Sequence, residues 1–116
     1  MSLRPSSFPG DAYGYATSQA GHAYFIGIIG ALILQGYGVA APFIVGASYA
    51  ALWEWGYQRW RWRDLFDWKD SLEDSIHVTV GAAVVSALLA GDTRTVWHVL
   101  ELQAVLLVAG IWRRSK

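Results

Sequence analysis

The sequence predicts an all-α integral membrane protein, a four-helix bundle with both termini on the cytoplasmic side. Three observations carry that expectation. From Ala12 to Trp53 there is no Asp, Glu, Lys or Arg, over more than a third of the 116 residues. Charged residues make up 16% of the chain and apolar ones 54%, against about 25% and 45–50% in an ordinary soluble domain. The basic residues also gather on one side once four crossings are drawn. A soluble domain this small keeps much of its surface in water and could not hide so long an uncharged stretch. Zero net charge and the lack of cysteine argue against a basic nucleic-acid-binding protein and a secreted disulfide scaffold, and the high apolar content argues against disorder.

One crossing takes about 20 residues, so the uncharged stretch is too long for one helix and suits two. Its middle, Gln35-Gly36-Tyr37-Gly38, with Pro42 soon after, is where a reversal belongs. Glycine enters turns without steric cost, and proline suits the first turn of a helix. The first helix is expected near 17–35 and the second near 40–58. Residues 1–16 lack the apolar core of a cleavable signal and are expected to be an interfacial or flexible lead-in to a single transmembrane domain spanning 1–116. The third helix is expected near 70–90, after a polar approach from Asp64 to Asp74. The fourth, near 94–112, is interrupted only by Glu101, and Gly91-Asp92-Thr93-Arg94 forms the turn between them.

Lys and Arg in short loops stay on the cytoplasmic side. With four crossings, Arg4, the basic residues of 59–69 and Arg113, Arg114 and Lys116 share that side, leaving Arg94 opposite. Three crossings would divide the two basic clusters. Trp60, Trp62, Trp68, Trp97 and Trp112 fall at the expected boundaries, where amphipathic rings favour the headgroup region. The expected location is a bacterial inner membrane. Arg59, Trp60, Arg61, Trp62 and Arg63 make an interfacial anchor, with arginines that snorkel towards anionic headgroups. Nucleic acid is not an expected partner, because Asp64, Asp67, Asp70, Glu73 and Asp74 follow at once and cancel the charge.

Polar residues inside membrane helices are costly and each needs a reason. His22, Glu54 and Asp74 fall at a common depth below the cytoplasmic surface, Gln58 and Asp70 one turn shallower, His77 one turn deeper. Residues three and four apart share a helical face. On that basis Ser18 aligns with His22, Ala47 and Ala51 with Glu54 and Gln58 (Gly46 and Ala50 beside them), and Asp70 with Asp74, His77 and Gly81. Small residues permit close helix approach in lipid, so these stripes are expected to face the interior. His22, Glu54, Asp74 and His77 are the candidate ligand or metal residues, with Gln58 and Asp70 supporting them. Imidazoles and carboxylates drawn from several helices form the ligand set of a divalent Zn, Mn or Fe ion. A histidine beside a desolvated carboxylate could also do acid–base work on a headgroup-like substrate, and a network of mutually satisfied groups would lock the helices together. No P-loop, GxGxxG or GxSxG motif is present.

Gly21-His22 at the start of a membrane helix, Glu54 and Gln58 ending the second, then Arg63, the acidic residues and Gly81 resemble the pattern of VanZ-like small membrane proteins. The resemblance covers about residues 21–91. It implies a four-helix bundle with a cytoplasmic-side polar pocket formed by His22, Glu54, Gln58 and Asp70 or Asp74. The sequence departs from that pattern in two places: Glu54 and Gln58 are four apart where the family has three, and His77 stands near the expected Asn.

A second pair, His98 and Glu101, lies on the fourth helix. An ionised carboxylate near the middle of a bilayer costs about 2.5–3.5 kcal/mol on insertion scales, so this pair is a candidate proton or ion path, or a neutral hydrogen-bonded pair. The functional expectation is a small membrane protein whose His/carboxylate cluster binds a small ligand, a lipid headgroup or a metal. The alternative is a non-enzymatic membrane protein that works by oligomerising, as an accessory subunit of a larger complex or a holin-like pore former.

Overall fold

A computed structural model describes residues 8, 10–65 and 67–114. Among these the chain is helical throughout and contains no strand. Four helices follow one another: α1 (12–33), α2 (41–61), α3 (Trp68–Leu89) and α4 (Thr93–Arg114). Two of them, α3 and α4, are long and apolar enough to cross a membrane.

The first helix starts at Ala12, earlier than expected, because Asp11 caps it: its carboxylate accepts the Gly14 N–H at 2.8 Å. An oxygen-bearing residue in that position satisfies a donor that the first helical turn leaves open. Residues 12–16, expected as part of an interfacial or flexible lead-in, are therefore helix, and Tyr15 is fully buried. The reversal falls where the glycines predict it. Gln35–Ala40 forms 3-10 turns, with Gly38 at φ +59°, a conformation other residues rarely adopt. The α3–α4 turn uses Gly91 at φ +72°. Beyond it Asp92 takes both the N–H (3.1 Å) and the hydroxyl (2.6 Å) of Thr95. Those hydrogen bonds hold the Asp92 carboxyl below the usual carboxylate range.

Consecutive helices run antiparallel. Gly30 of α1 lies against Val45 of α2, Gly46 of α2 against Thr79 of α3, and Gly110 of α4 against the Tyr15 ring of α1. Helices α1 and α3 run parallel and form the central pair, with α2 and α4 flanking them. The central pair meets backbone to backbone: a Cβ at Gly81 would run into the Ala23 carbonyl, and one at Gly27 into the Ala82 amide. Small side chains are what allow two helices to approach so closely.

Two apolar clusters fill the rest of the interior. Ala31, Val45, Tyr49, Val78 and Ala82 lie between α1, α2 and α3. Val84, Ala87 and Val96 join α3 to α4. The large apolar side chains point outward instead: Phe25, Ile29, Ile33, Phe43, Leu52 and Leu102 are all exposed.

Two of the helices that bring polar groups to the interior, α1 and α2, depart from α geometry there. Gly21–Ile26 in α1 and Tyr49–Gln58 in α2 are π-helical, with i→i+5 hydrogen bonding. The wider turn rotates α2 away from the expected stripe. Ala47 and Ala51 are exposed, Gly46 is buried as expected, and Val45 and Tyr49 instead share the interior with Glu54 and Gln58. The α3 stripe of Asp70, Asp74, His77 and Gly81 is buried as expected, in a helix with regular α geometry.

The α1–α3 contact gives the first prediction. Gly81→Ala should lower thermal stability in detergent by about 1–3 kcal/mol, because the obstructing atoms are backbone and yield only by moving a helix. At Gly36 an added Cβ meets nothing within 4 Å, so Gly36→Ala should stay within about 0.5 kcal/mol of the parent.

Candidate functional site: a buried carboxylate–imidazole centre

His22 from α1, Glu54 from α2 and Asp74 from α3 converge inside the protein. Each offers one donor atom, and the three atoms all lie within 4.8 Å of one another. All three residues are buried, Glu54 to 2% exposure. His22 Nε2 stands 3.8 Å from Asp74 Oδ2. That is too long for a hydrogen bond, yet short enough for both atoms to share one ion at about 2.0–2.2 Å from each.

The neighbours hold the centre in shape. The Gln19 amide donates to Asp74 Oδ1 at 2.7 Å. Tyr49 donates its hydroxyl to Glu54 Oε1 at 2.5 Å, and its ring packs edge-on against the His22 imidazole with centroids 5.6 Å apart. Glu54 also reaches the Asp74 carboxyl. Two carboxyl groups in contact away from water need a proton between them or a cation beside them. Among the described residues, Gln19 Oε1, on the residue that donates to Asp74, is buried without a hydrogen-bond partner. Most buried polar atoms have one, so the centre retains unused capacity for a ligand.

Of the residues singled out by sequence, His22, Glu54 and Asp74 come together as donors. Gln58 and Asp70 are buried on the same stretches of α2 and α3. His77 is buried to 1% but falls outside the donor group. Its Nε2 lies 3.5 Å from the Tyr15 hydroxyl, and the two rings meet edge-on.

That tyrosine belongs to a second network at the same end of the molecule. Tyr15 donates to Glu73, Arg113 donates to the same Glu73 oxygen at 3.0 Å, and the Arg114 guanidinium lies 3.7 Å above the Tyr15 ring. Deeper along α4, Tyr24 donates to Gln103. Between them these contacts tie α4 to α1 and α3.

His98 and Glu101 do not join the centre. They face outward from α4, 3.9 Å apart, with side chains 68% and 73% exposed. Arg59, Trp60, Arg61 and Arg63 are exposed and Trp62 half-buried. Arg59 lies over the Trp55 ring and Arg61 over Trp62, while Trp53 stacks on Tyr57 at 5.0 Å. The result is an aromatic and cationic collar around the end of α2.

Sequence reasoning missed Gln19, Tyr49, Tyr15 and Gln103. Gln19 stands three residues before His22 and could have been found from that spacing. Tyr49 stands five residues before Glu54, a spacing that only a π-helix brings into contact.

No protein-family model matches the chain, and neither a curated protein nor a solved structure does.

The donors to the carboxyl groups can be tested singly. Gln19→Leu and Tyr49→Phe each remove one donor and leave a buried oxygen short of a partner, at a cost of about 1–3 kcal/mol. Thermal unfolding in detergent should show both variants destabilised. Tyr37→Phe, at an exposed position, should be neutral.

Proposed function

We propose that this is an integral membrane protein of four crossings, a bundle with both termini on the cytoplasmic side of a bacterial inner membrane. Its His22–Glu54–Asp74 centre binds a divalent metal ion. The membrane part rests on an inverted distribution of side chains. Gln19, His22, Glu54, Asp74, His77 and Gln103 are inside, while large aliphatic and aromatic residues cover the outside. In water that arrangement would leave a large apolar surface exposed; in hydrocarbon it satisfies both sets. The collar at Trp53–Trp62 suits a headgroup layer, and the basic residues favour the cytoplasmic side for that end.

The single observation that carries the metal assignment is the approach of three donor atoms, one from each of three helices, within 4.8 Å of one another. One imidazole nitrogen and two carboxylate oxygens suit Zn, Mn or Fe(II). A divalent cation also balances two carboxylates that would otherwise repel each other in a medium of low dielectric. Coordination positions left open by the three side chains accept water, or an oxygen of a small ligand or lipid headgroup. The order of His22, Glu54, Gln58 and Asp74 that resembles VanZ-like proteins supports the same polar pocket.

The competing assignment is a proton held between Glu54 and Asp74 in a purely structural network, which the short Tyr49–Glu54 bond also suits. Elemental analysis of protein purified in mild detergent separates the two. The metal reading expects about one equivalent of a transition metal per chain and a lower melting midpoint after chelation. Glu54→Gln and Asp74→Asn should each remove the metal while the helical circular-dichroism signal persists, and His98→Ala should retain it. Protein that stays metal-free in supplemented medium, with a melting midpoint indifferent to zinc, manganese, iron(II) and chelator, would overturn the metal assignment.

A further inference from the structure

We infer that the groove between α2, α3 and α4 holds one acyl chain of a membrane phospholipid with a zwitterionic head, its ammonium at Asp92 and its phosphate at Arg94. The inference rests on the membrane reading and concerns the end of the molecule opposite the His22–Glu54–Asp74 centre. Helices α2 and α4 both pack on α3 and leave a space of about 590 Å³ between them, within the roughly 300–1,000 Å³ of small-molecule sites. Its floor is one stripe of α3, Thr79, Ala83, Ser86 and Ala90, whose steps of three and four residues keep a single helical face. Phe43 of α2 and Leu102 of α4 form the walls. Small residues on a membrane helix ordinarily receive a second helix; here they floor an open space.

The dimensions select a hydrocarbon chain over a helix. Thr79 lies at the middle of the 22-residue α3, and from there to Ala90 is about 16 Å at 1.5 Å per residue. That is the depth of one leaflet, half of a hydrocarbon core about 30 Å thick. Spread over this length, the space has a mean section of roughly 35 Å², less than half that of a helix 10–12 Å across. It suits one extended chain, whose carbons pack about 4 Å from their neighbours.

The polar groups lie where the head of such a lipid belongs. Gln35 and Asp92 line the turn end of the groove. Between Asp74 and Glu101, Asp92 and Arg94 are the only Asp, Glu, Lys or Arg, and the α1–α2 reversal beside them has none. One acid and one base complement a head that carries one charge of each sign. One turn deeper than Ala90, the Ser86 hydroxyl is buried and, among the described residues, has no hydrogen-bond partner. On the same helix Ser75 and Thr79 donate to carbonyls four residues back, at 2.8 and 2.9 Å. Ser86 keeps its donor, and the ester carbonyl of a phospholipid, just below the head, is an acceptor at that depth.

Native mass spectrometry of the protein in mild detergent, offered dioleoyl phosphatidylethanolamine or dioleoyl phosphatidylglycerol, tests the site. One phospholipid should stay bound per chain, the ethanolamine lipid about three-fold better than the glycerol lipid. Ala83→Phe and Ala90→Phe, the second at an exposed position, put a ring into the groove, and each should lower retention about ten-fold. Ala51→Phe, exposed on α2 and outside the groove, should leave it unchanged. Asp92→Asn keeps a capping oxygen and should abolish the preference between heads. Retention indifferent to both groove variants would overturn the proposal. So would equal retention of the two lipids by the parent, or a polypeptide, in place of a lipid, that copurifies from native membranes and is lost with Ala90→Phe. Alkaline carbonate extraction of native membranes tests the underlying reading separately: release into the supernatant would refute membrane integration, whereas retained protein that binds no phospholipid would refute only the occupant of the groove.

Discussion

A buried carboxylate, Asp74, organises this molecule. It draws the Gln19 amide and the His22 imidazole from α1 and the Glu54 carboxyl from α2, so three helices are committed to one point. The commitment is rigid because a carboxylate removed from water is destabilising unless its oxygens are met. The backbone contact at Gly81, the packing of Gly46 on Thr79 and the small residues along α1 bring helices close enough for short side chains to reach. Packing and polar chemistry are thus one constraint: bulkier residues on those faces would leave Asp74 without partners.

Much of this was legible in the sequence, and the part that was not has an identifiable cause. The four helices, both turns and the convergence of His22, Glu54 and Asp74 followed from the uncharged stretch, the glycines and the shared depth of the polar residues. The α3 stripe was also correct, since α3 keeps regular α geometry. The α2 stripe failed at Ala47 and Ala51 because a period of 3.6 residues was applied across Tyr49–Gln58, where the helix is wider. The same assumption hid Tyr49, whose hydrogen bond to Glu54 spans five residues. Composition offered no clue to a π segment, and only the placement of Glu54 shows what it accomplishes. Depth and helical face set His77 with the donors, but its ring meets Tyr15, in the turn that the Asp11 cap adds to the expected first helix.

That both π segments coincide with the polar centre is consistent with the wider pattern that such turns accompany functional positions. A π turn rotates everything beyond it, and here it delivers His22 from one helix and Glu54 from another to the same point. The apolar groove of about 590 Å³ between α2, α3 and α4 lies towards the other end, lined by residues such as Pro42, Ala83 and Leu102, so the molecule separates a polar end from an oily one.

The donors of the polar centre all reside on α1, α2 and α3, while α4 attaches beside it, through Tyr24–Gln103 and the Tyr15–Gly110 contact to α1 and through Arg113–Glu73 and the Val84, Ala87 and Val96 cluster to α3. This distribution has a consequence for separability. Every side chain that meets Asp74 comes from α1 or α2, so withdrawing α4 would bare a flank of α1 and α3 without removing a partner of the centre.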